Sequence, residues 1–331
     1  MSDNGCLPHE RALHAVLDAG RLDAVARQHA RGRRTARERI DLLVDEGTFR
    51  EIGALARPDE PGPDGRAIPA DAIVVGVGDI DGRPTVIMST DFTAAGGSNG
   101  LIGNEKQRRG WEIAGTRGIP VVMLFDGGGH RIHEGLDARI FAGGFDIQEM
   151  LTRLSGWVPL VAAIMGPGYG QPTLAASLCD YTVAVRGQAT LGMAPPALVK
   201  ASTGENIDSD ALYSADAQAR FGNVDLVTDD EDDALHALRV YLATLPANAE
   251  APLLMETGLS PDPVAVDRID RVVPADVKAA YDMHDVVDGL VDADTVVELK
   301  SQYAPNILTL LATIDGHQVE SPRVCRRLSN L

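Results

Sequence analysis

The chain has 331 residues and a formal net charge of −18, with 44% hydrophobic and 4% aromatic residues. That length allows one large core or two smaller ones, and the acidic balance argues against nucleic acid as a partner. Cys6, Cys179 and Cys325 are too few and too scattered for a disulfide framework or a Cys-x-x-Cys zinc site. Residues 1–20 have no apolar core or cleavage signal, and no apolar run nears the ~20 residues of a membrane span. The composition therefore points to a soluble, cytoplasmic chain with no membrane partner and no metal.

In chain order, Leu13, Val16, Leu17 and Val25 recur at roughly helical spacing between Glu10 and Ala30. Arg31-Gly-Arg-Arg-Thr-Ala-Arg-Glu-Arg39 follows, the densest positive patch of an acidic chain. Thr35 and Glu38 form a T-x-x-E capping box that starts a helix. Ile40, Leu42, Leu43 and Val44 would be its apolar side, and Gly47 would end it. Arg33, Arg34 and Arg37 have two readings: a solvated helix start paired with acids, or a local site for a polyanion. Arg57 to Ala70 is rich in Pro, Gly and Asp and reads as a surface loop. Ala72–Gly78 and Pro84–Ser89 flank Asp81-Gly82, a hairpin signal.

A glycine turn at Gly96-Gly-Ser98 then leads into a helix from Asn104 to Thr116. Val121–Phe125 is a short apolar run that reads as a buried strand, ending in Asp126-Gly-Gly-Gly129. Leu160–Met165, Gly166-Pro-Gly-Tyr-Gly170 and a helix from Pro172 to Leu178 repeat the arrangement. Glycine lets backbone N–H groups approach a ligand without a Cβ in the way, and amides at such turns hold oxyanions or phosphates. Two such turns could place two amides around one carbonyl oxygen. Tyr181–Val185 is a further strand, and the βα alternation argues for a layered α/β domain. A helix starts near Pro195-Pro196, another runs from Asp229 to about Leu245, and the proline-rich 246–263 stretch is a linker.

Beyond the linker the chain repeats itself. Asp41-Leu-Leu-Val-Asp45 with Thr48 to Ile52 matches Asp288-Gly-Leu-Val-Asp292 with Thr295 to Leu299, and Ile80-Asp-Gly82 matches Ile314-Asp-Gly316. Paired matches in the same order favour a duplicated domain. The second copy loses its apolar pattern over Glu320 to Leu331, so the expectation is three parts: 1–245, a linker at 246–263, and the truncated beginning of a second domain at 264–331. Such a fragment should dock on the first domain or on a partner, and otherwise fray.

The motifs resemble the carboxyltransferase β subunits of biotin-dependent acyl-CoA carboxylases, such as propionyl-CoA carboxylase. The carriers are Thr35-Ala-Arg-Glu-Arg-Ile-Asp-Leu-Leu43 with Glu46-Gly47, Asp91-Phe-Thr with Gly96-Gly-Ser98, and Asp126-x-Gly-Gly-x-Arg131 with Glu134-Gly135. Met165-Gly-Pro167, Val185-Arg186, Val199-Lys200 with Thr203-Gly-Glu205, and Leu245-Pro246 add to them. The resemblance implies crotonase-like (ClpP/crotonase) βα spiral domains, with acyl-CoA held mainly by the first. It implies biotin on a separate carrier protein, a biotin carboxylase partner, and active sites shared between subunits of a homo- or hetero-oligomer, with another chain supplying the second carboxyltransferase half.

The implied reaction passes through an enolate and asks the protein for oxyanion stabilisation and orientation, not a side-chain base. Gly128 and Gly129 match the family's glycine pair and are the expected first oxyanion site; Gly168, Tyr169 and Gly170 are the second candidate. Acyl-CoA contacts are expected at Arg33, Arg34, Arg37, Gly96, Gly97, Ser98 and Arg131. The chain departs from the family where it has Gly168-Tyr-Gly-Gln-Pro172 in place of Cys-Ala-Gly-Gly-Ala, His130 in place of alanine and Gly127 in place of serine. His130 could donate to an enolate or simply shape the pocket; His133 would pack or face solvent. The glycine turns do not fit a dinucleotide fingerprint, no P-loop occurs, and no Met-Lys-Met biotin attachment site is present. Two other functions are compatible with these features: an acyl-CoA decarboxylase or hydrolase of related enolate chemistry, and a non-catalytic CoA-binding subunit.

Overall fold

The computed structural model describes residues 7–62, 65–135, 146–276 and 278–325. Cys6, Asp64 in the surface loop, and the last six residues of the Glu320–Leu331 segment lie outside the described residues. Twelve strands are present among those described: β1 (Arg50–Ile52), β2 (Ile73–Ile80), β3 (Arg83–Thr90), β4 (Val121–Phe125), β5 (Leu160–Ile164), β6 (Pro167–Tyr169), β7 (Tyr181–Val185), β8 (Thr190–Gly192), β9 (Leu226–Thr228), β10 (Val297–Leu299), β11 (Ile307–Ile314) and β12 (His317–Cys325). The expected hairpin forms, with Ile80 opposite Arg83. Asp81 and Gly82 both take positive φ, 51° and 73°, the backbone that a two-residue turn between twisted strands requires.

The main sheet has the order β1-β2-β3-β4-β5-β7-β9. Its first three strands are antiparallel, and from β3 onward every pairing is parallel. β4, β5 and β7 are buried along their whole length, which is why they read as unbroken apolar runs and not as alternation. Alternation appears in which core each residue enters. Val121, Met123 and Phe125 pack with Trp111, Leu151 and Leu154 on one face. Val122 and Leu124 pack with Ile40, Leu43, Leu238 and Tyr241 on the other.

Two expectations change in detail. The Glu10–Ala30 stretch is two helices, Pro8–Val16 and Leu22–His29, separated by a 3₁₀ turn at Asp18–Gly20. The chain doubles back there so closely that a Cβ on Gly20 would lie 2.1 Å from the His14 carbonyl oxygen. The Thr35–Glu38 capping box is formed as expected and starts the Ala36–Leu43 helix. Leu42, however, faces solvent at 48% exposure while Ala36, Ile40 and Leu43 are buried, because one helical stripe carries i, i+4 and i+7. The three-residue strand β8 has too little pattern to announce itself in the sequence; it pairs with β6 in a separate two-stranded sheet.

The repeated segments share a set of hydrogen bonds. The Asp45 carboxylate accepts from the N–H groups of Asp81 and Gly82 (3.2 and 2.7 Å), and the Asp292 carboxylate accepts from those of Asp315 and Gly316 (3.1 and 2.8 Å). Asp45 N–H donates to Asp79 O, and Asp292 N–H to Thr313 O. Thr48 Oγ1 donates to Asp45 O and accepts from Asp79 N–H; Thr295 does the same with Asp292 and Thr313. In both copies an aspartate holds the hairpin turn, which draws the Asp292 carboxyl below its ordinary range once burial has been offset by bonds from Thr313, Gly316 and Asp315.

The second copy is docked on the first. Val297, Leu299 and Leu311 enter the same core as Leu238 and Tyr241. Lys300 Nζ donates to Gly222 O at 2.8 Å, and Gln318 donates to the Thr244 carbonyl. Asp45→Ala should speed hydrogen exchange at Asp81 and Gly82 and leave Gly316 protected. Asp292→Ala should do the reverse, as measured by native-state exchange with residue resolution.

Candidate active site

Three glycine turns meet at the carboxyl end of β4. In the first, Gly96 and Gly97 take φ of 63° and 68°; in the second, Gly127, Gly128 and Gly129 take 94°, 119° and 80°. Their backbones touch. A Cβ on Gly127 would lie 2.2 Å from Gly96 O, and one on Gly97 2.5 Å from Asp126 O. The third turn, after β5, closes the group: Gly127 N–H donates to Pro167 O at 2.8 Å, and a Cβ on Gly128 would lie 2.5 Å from Pro172 Cγ. Backbone angle favours glycine at all five positions, and space adds to it at Gly97, Gly127 and Gly128.

Asn99 stitches the turns together. Its N–H donates to Gly129 O and its carbonyl accepts from Arg131 N–H, each at 2.9 Å. Its side-chain amide donates to Gln171 Oε1 on the third turn. The N–H groups of Gly128 and Gly129 find no acceptor among the described residues. Both N–H groups stay uncommitted among those residues. Gly170 does not: its N–H donates to Gly192 O at 2.9 Å. Gly168 O accepts from Thr173 Oγ1, and the Tyr169 ring sits edge-on to Tyr213, 5.4 Å between centroids. The third turn shapes the site through Tyr169, Gln171 and Pro172, while the Gly170 amide is committed to β8.

A cavity of about 980 Å³ opens onto Gly96, Ser98, Gly128 and His130. Its walls carry Arg21, Arg27, Arg66 and Arg131, with His14 and His133 also lining it. Arg21 is held by Asp91 (2.9 Å) and Thr93 (2.9 Å). Arg131 is 3% exposed, pairs with Asp71 and with Glu134 (2.6 Å), and donates to Ser98 O at 2.9 Å. Arg131 thus orders the Gly96–Ser98 turn from behind.

Arg33, Arg34 and Arg37, read as possible polyanion ligands, are all engaged elsewhere. Arg33 pairs with Asp126 at 3.1 Å, Arg34 with Asp232 at 2.6 Å and Arg37 with Glu51 at 2.6 Å. None of the three lines the large cavity. Of the four arginines that do, Arg131 is one of the expected contacts, while Arg21 and Arg27 lie one helix earlier, in a stretch whose sequence carries no cluster to draw attention. Also missed was the buried set beneath the turns. Asp126 and Arg39 are both wholly buried and pair at 2.9 Å, while Arg39 grips Glu231 through two bonds of 2.8 and 2.7 Å. Burial depresses the Arg39 guanidinium, but the bonds to Glu231 and the charge of Asp126 outweigh it and the net shift is upward.

Behind Arg131, Asp71 sits in a loop where Ala70, Asp71 and Ala72 all take positive φ. Lys106 clasps that loop, donating to Ala70 O and Ile73 O at 2.9 and 2.5 Å. Burial pulls the Lys106 ammonium down to about 8.

Among the described residues no group of His, Cys, Asp or Glu side chains is arranged to hold a metal ion, and no helix is long and apolar enough to cross a membrane. The model of the carboxyl transferase domain family matches residues 27–320. The chain belongs to that family. It is 36% identical over 318 residues to the carboxyltransferase subunit of propionyl-CoA carboxylase from Haloferax mediterranei, covering 93% of this chain and 61% of that protein. It is 34% identical over 319 residues to the methylmalonyl-CoA decarboxylase α subunit of Veillonella parvula, covering 95% and 62%. Among solved structures, the transcarboxylase 12S hexamer with hydrolysed methylmalonyl-coenzyme A bound superposes with a TM-score of 0.82 at 33% identity, over 90% of this chain and 58% of that one. The fold is therefore that of the crotonase-like carboxyltransferases. The chain spans about 60% of the length of the relatives it matches.

The carboxyl transferase domain match includes all three glycine turns, so substitutions there test the site directly. A methyl group on Gly129 meets only Tyr169 O at 3.5 Å. Gly129→Ala should fold, at a cost of about 1–2 kcal/mol for the left-handed backbone, with Gly127→Ala costing more because of the Gly96 carbonyl; chemical denaturation compares them. Lys106 gives a pH signature. Its folded value of about 8 lies below the unfolded ~10.4, so the unfolded chain binds more protons between those values and stability should rise with pH across that window. Unfolding in urea at pH 7.5 and 10 should show this rise reduced by about 2 kcal/mol in Lys106→Met.

Proposed function

We propose that this chain is the acyl-CoA half of a biotin-dependent acyl-CoA carboxyltransferase. The observation that carries the reading is the pair of N–H groups at Gly128 and Gly129, without acceptors among the described residues, at the edge of a large cavity walled by arginines. An acyl thioester whose oxygen sat on those amides would be polarised toward its enolate without a side-chain base. The cavity cations suit the phosphates of coenzyme A, Arg27 as a charge with no ion-pair partner among the described residues and Arg21 and Arg131 as fixed ones. Gly96 and Ser98 line the cavity together with Gly128, and Gly97 packs against the Asp126–Gly127 backbone. His130, on the residue after the glycines, faces the same cavity and can donate to the substrate or narrow its acyl end.

Carboxybiotin on a separate carrier protein supplies the carboxyl group in this reading, and no residue of the described chain is assigned to hold it. Propionyl-CoA is the proposed substrate, in keeping with the names of the relatives at 36% identity. The partners are a biotin carboxylase with its carrier and a chain supplying the second carboxyltransferase half, in a cytoplasmic oligomer. The proposed division is 1–245 for the acyl-CoA domain, 246–263 for the linker and 264–331 for the start of the second domain, supported by the duplicated aspartate-held hairpins.

Calorimetric titration with propionyl-CoA tests the reading. Saturable binding is expected, weakened about five- to tenfold in Arg27→Ala through loss of one phosphate partner. Arg34→Ala, whose partner Asp232 lies away from the cavity, should stay within twofold. Absence of binding to the folded chain would overturn the acyl-CoA reading.

A further inference from the structure

The Asp126 carboxylate poses an electrostatic problem for the proposed chemistry. It immediately precedes the three glycines, and at two residues' distance its Cα lies at most about 7 Å from that of Gly128. It also sits beneath the third turn: a Cβ on Gly166 would lie 2.0 Å from Asp126 Oδ1 and 3.0 Å from Arg33 Nη1. The carboxylate is thus wedged between the two turns that frame the site, wholly buried, where a negative charge is poorly screened. An anion there would oppose the negative charge that an enolate oxygen develops at Gly128 and Gly129.

The surroundings of Asp126 answer that problem. Arg33 Nη1 reaches one carboxylate oxygen at 3.1 Å; Arg39 Nη2 and Gln28 Nε2 reach the other at 2.9 and 2.6 Å. Arg39 is shared with the buried Glu231, so two arginines face two carboxylates and the cluster is neutral. These cations come from the segment before the capping box and from the helix it starts, not from the turns they serve.

We propose that Arg33 and Arg39 are positioning residues that screen Asp126, so that its carboxylate anchors the glycine turns without repelling charge on the bound thioester. The inference rests on the acyl-CoA reading above. Its distinctive consequence is that Arg33 matters more for an anionic ligand than for a neutral one. At roughly 8 Å and an effective dielectric of about 20, one uncompensated charge weakens binding of another about thirtyfold. With Arg39 still in place, roughly tenfold is expected.

Two probes separate the cases: propionyl-CoA, and a coenzyme A analogue carrying a nitro group in place of the thioester carbonyl, whose nitronate bears the enolate's charge. Arg33 is partly exposed, at 15%, so Arg33→Gln should fold. It should weaken the nitronate about tenfold and propionyl-CoA less than twofold. Arg33→Lys should restore the nitronate, and so should Asp126→Asn added to Arg33→Gln, because it removes the charge that needs screening. Equal loss for both ligands, or no loss, would overturn the screening role while leaving the acyl-CoA reading intact. A wild-type chain that binds neither probe would overturn that reading and this inference with it.

Discussion

The buried contact between Arg39 and Asp126 ties the amino-terminal helices to the sheet and to the glycine turns at once. Through Glu231 it reaches the first turn of the Glu231–Ala243 helix, and through Gln28 it reaches the Leu22–His29 helix. Desolvating an ion pair of this kind recovers little net stability, and breaking it by removing one partner costs about 3–5 kcal/mol because the other charge is stranded. Such a cluster is better understood as a constraint on geometry. Its members satisfy one another only when the helix, strand end and turn stand in one arrangement, and in that arrangement the Gly128 and Gly129 amides have no acceptor among the described residues. Gly96, Gly97 and Gly127–Gly129 have no side chains of their own to hold this position.

What the sequence disclosed depended on whether a residue's partner was near or implied by pattern. The unbroken apolar runs of β4, β5 and β7 announced buried parallel strands, because a strand covered on both faces has no polar side to show. Asp81-Gly82 announced its hairpin, and Thr35 with Glu38 announced a helix start. The backbone of the candidate site was legible, since residues 127–129 take angles that favour glycine. The electrostatics of that site were not. A run of arginines shows charge and conceals partners, and Arg33, Arg34 and Arg37 each found a carboxylate 14 to 198 residues away. Gly170 illustrates a second limit. Its amide is taken by Gly192 in β8, a strand too short to read from periodicity.

The internal duplication adds a different kind of evidence. An aspartate that holds a two-residue turn by two N–H bonds, with a threonine three residues later bridging its carbonyl to the strand that leads into that turn, occurs at residues 45–82 and again at 292–316. A shared pattern of short apolar residues could arise by chance. Shared bonding, down to which oxygen accepts from which amide, reflects a common local solution. The second copy supports the first by covering its core with Val297, Leu299 and Leu311.

The two copies differ in what lies between clamp and turn. Asp45 reaches Gly82 across 37 residues, whereas Asp292 reaches Gly316 across 24. Loop-closure entropy grows only with the logarithm of length, so the thirteen extra residues raise the cost of closure by about 0.4 kcal/mol. The longer path holds the Arg57–Ala70 stretch and the loop after it, which bring Arg66 and Ile68 to the cavity wall and Asp71 to Arg131. A hairpin scaffold can therefore accept an excursion of this size almost without penalty, and in this chain the excursion is where structural framework becomes binding surface.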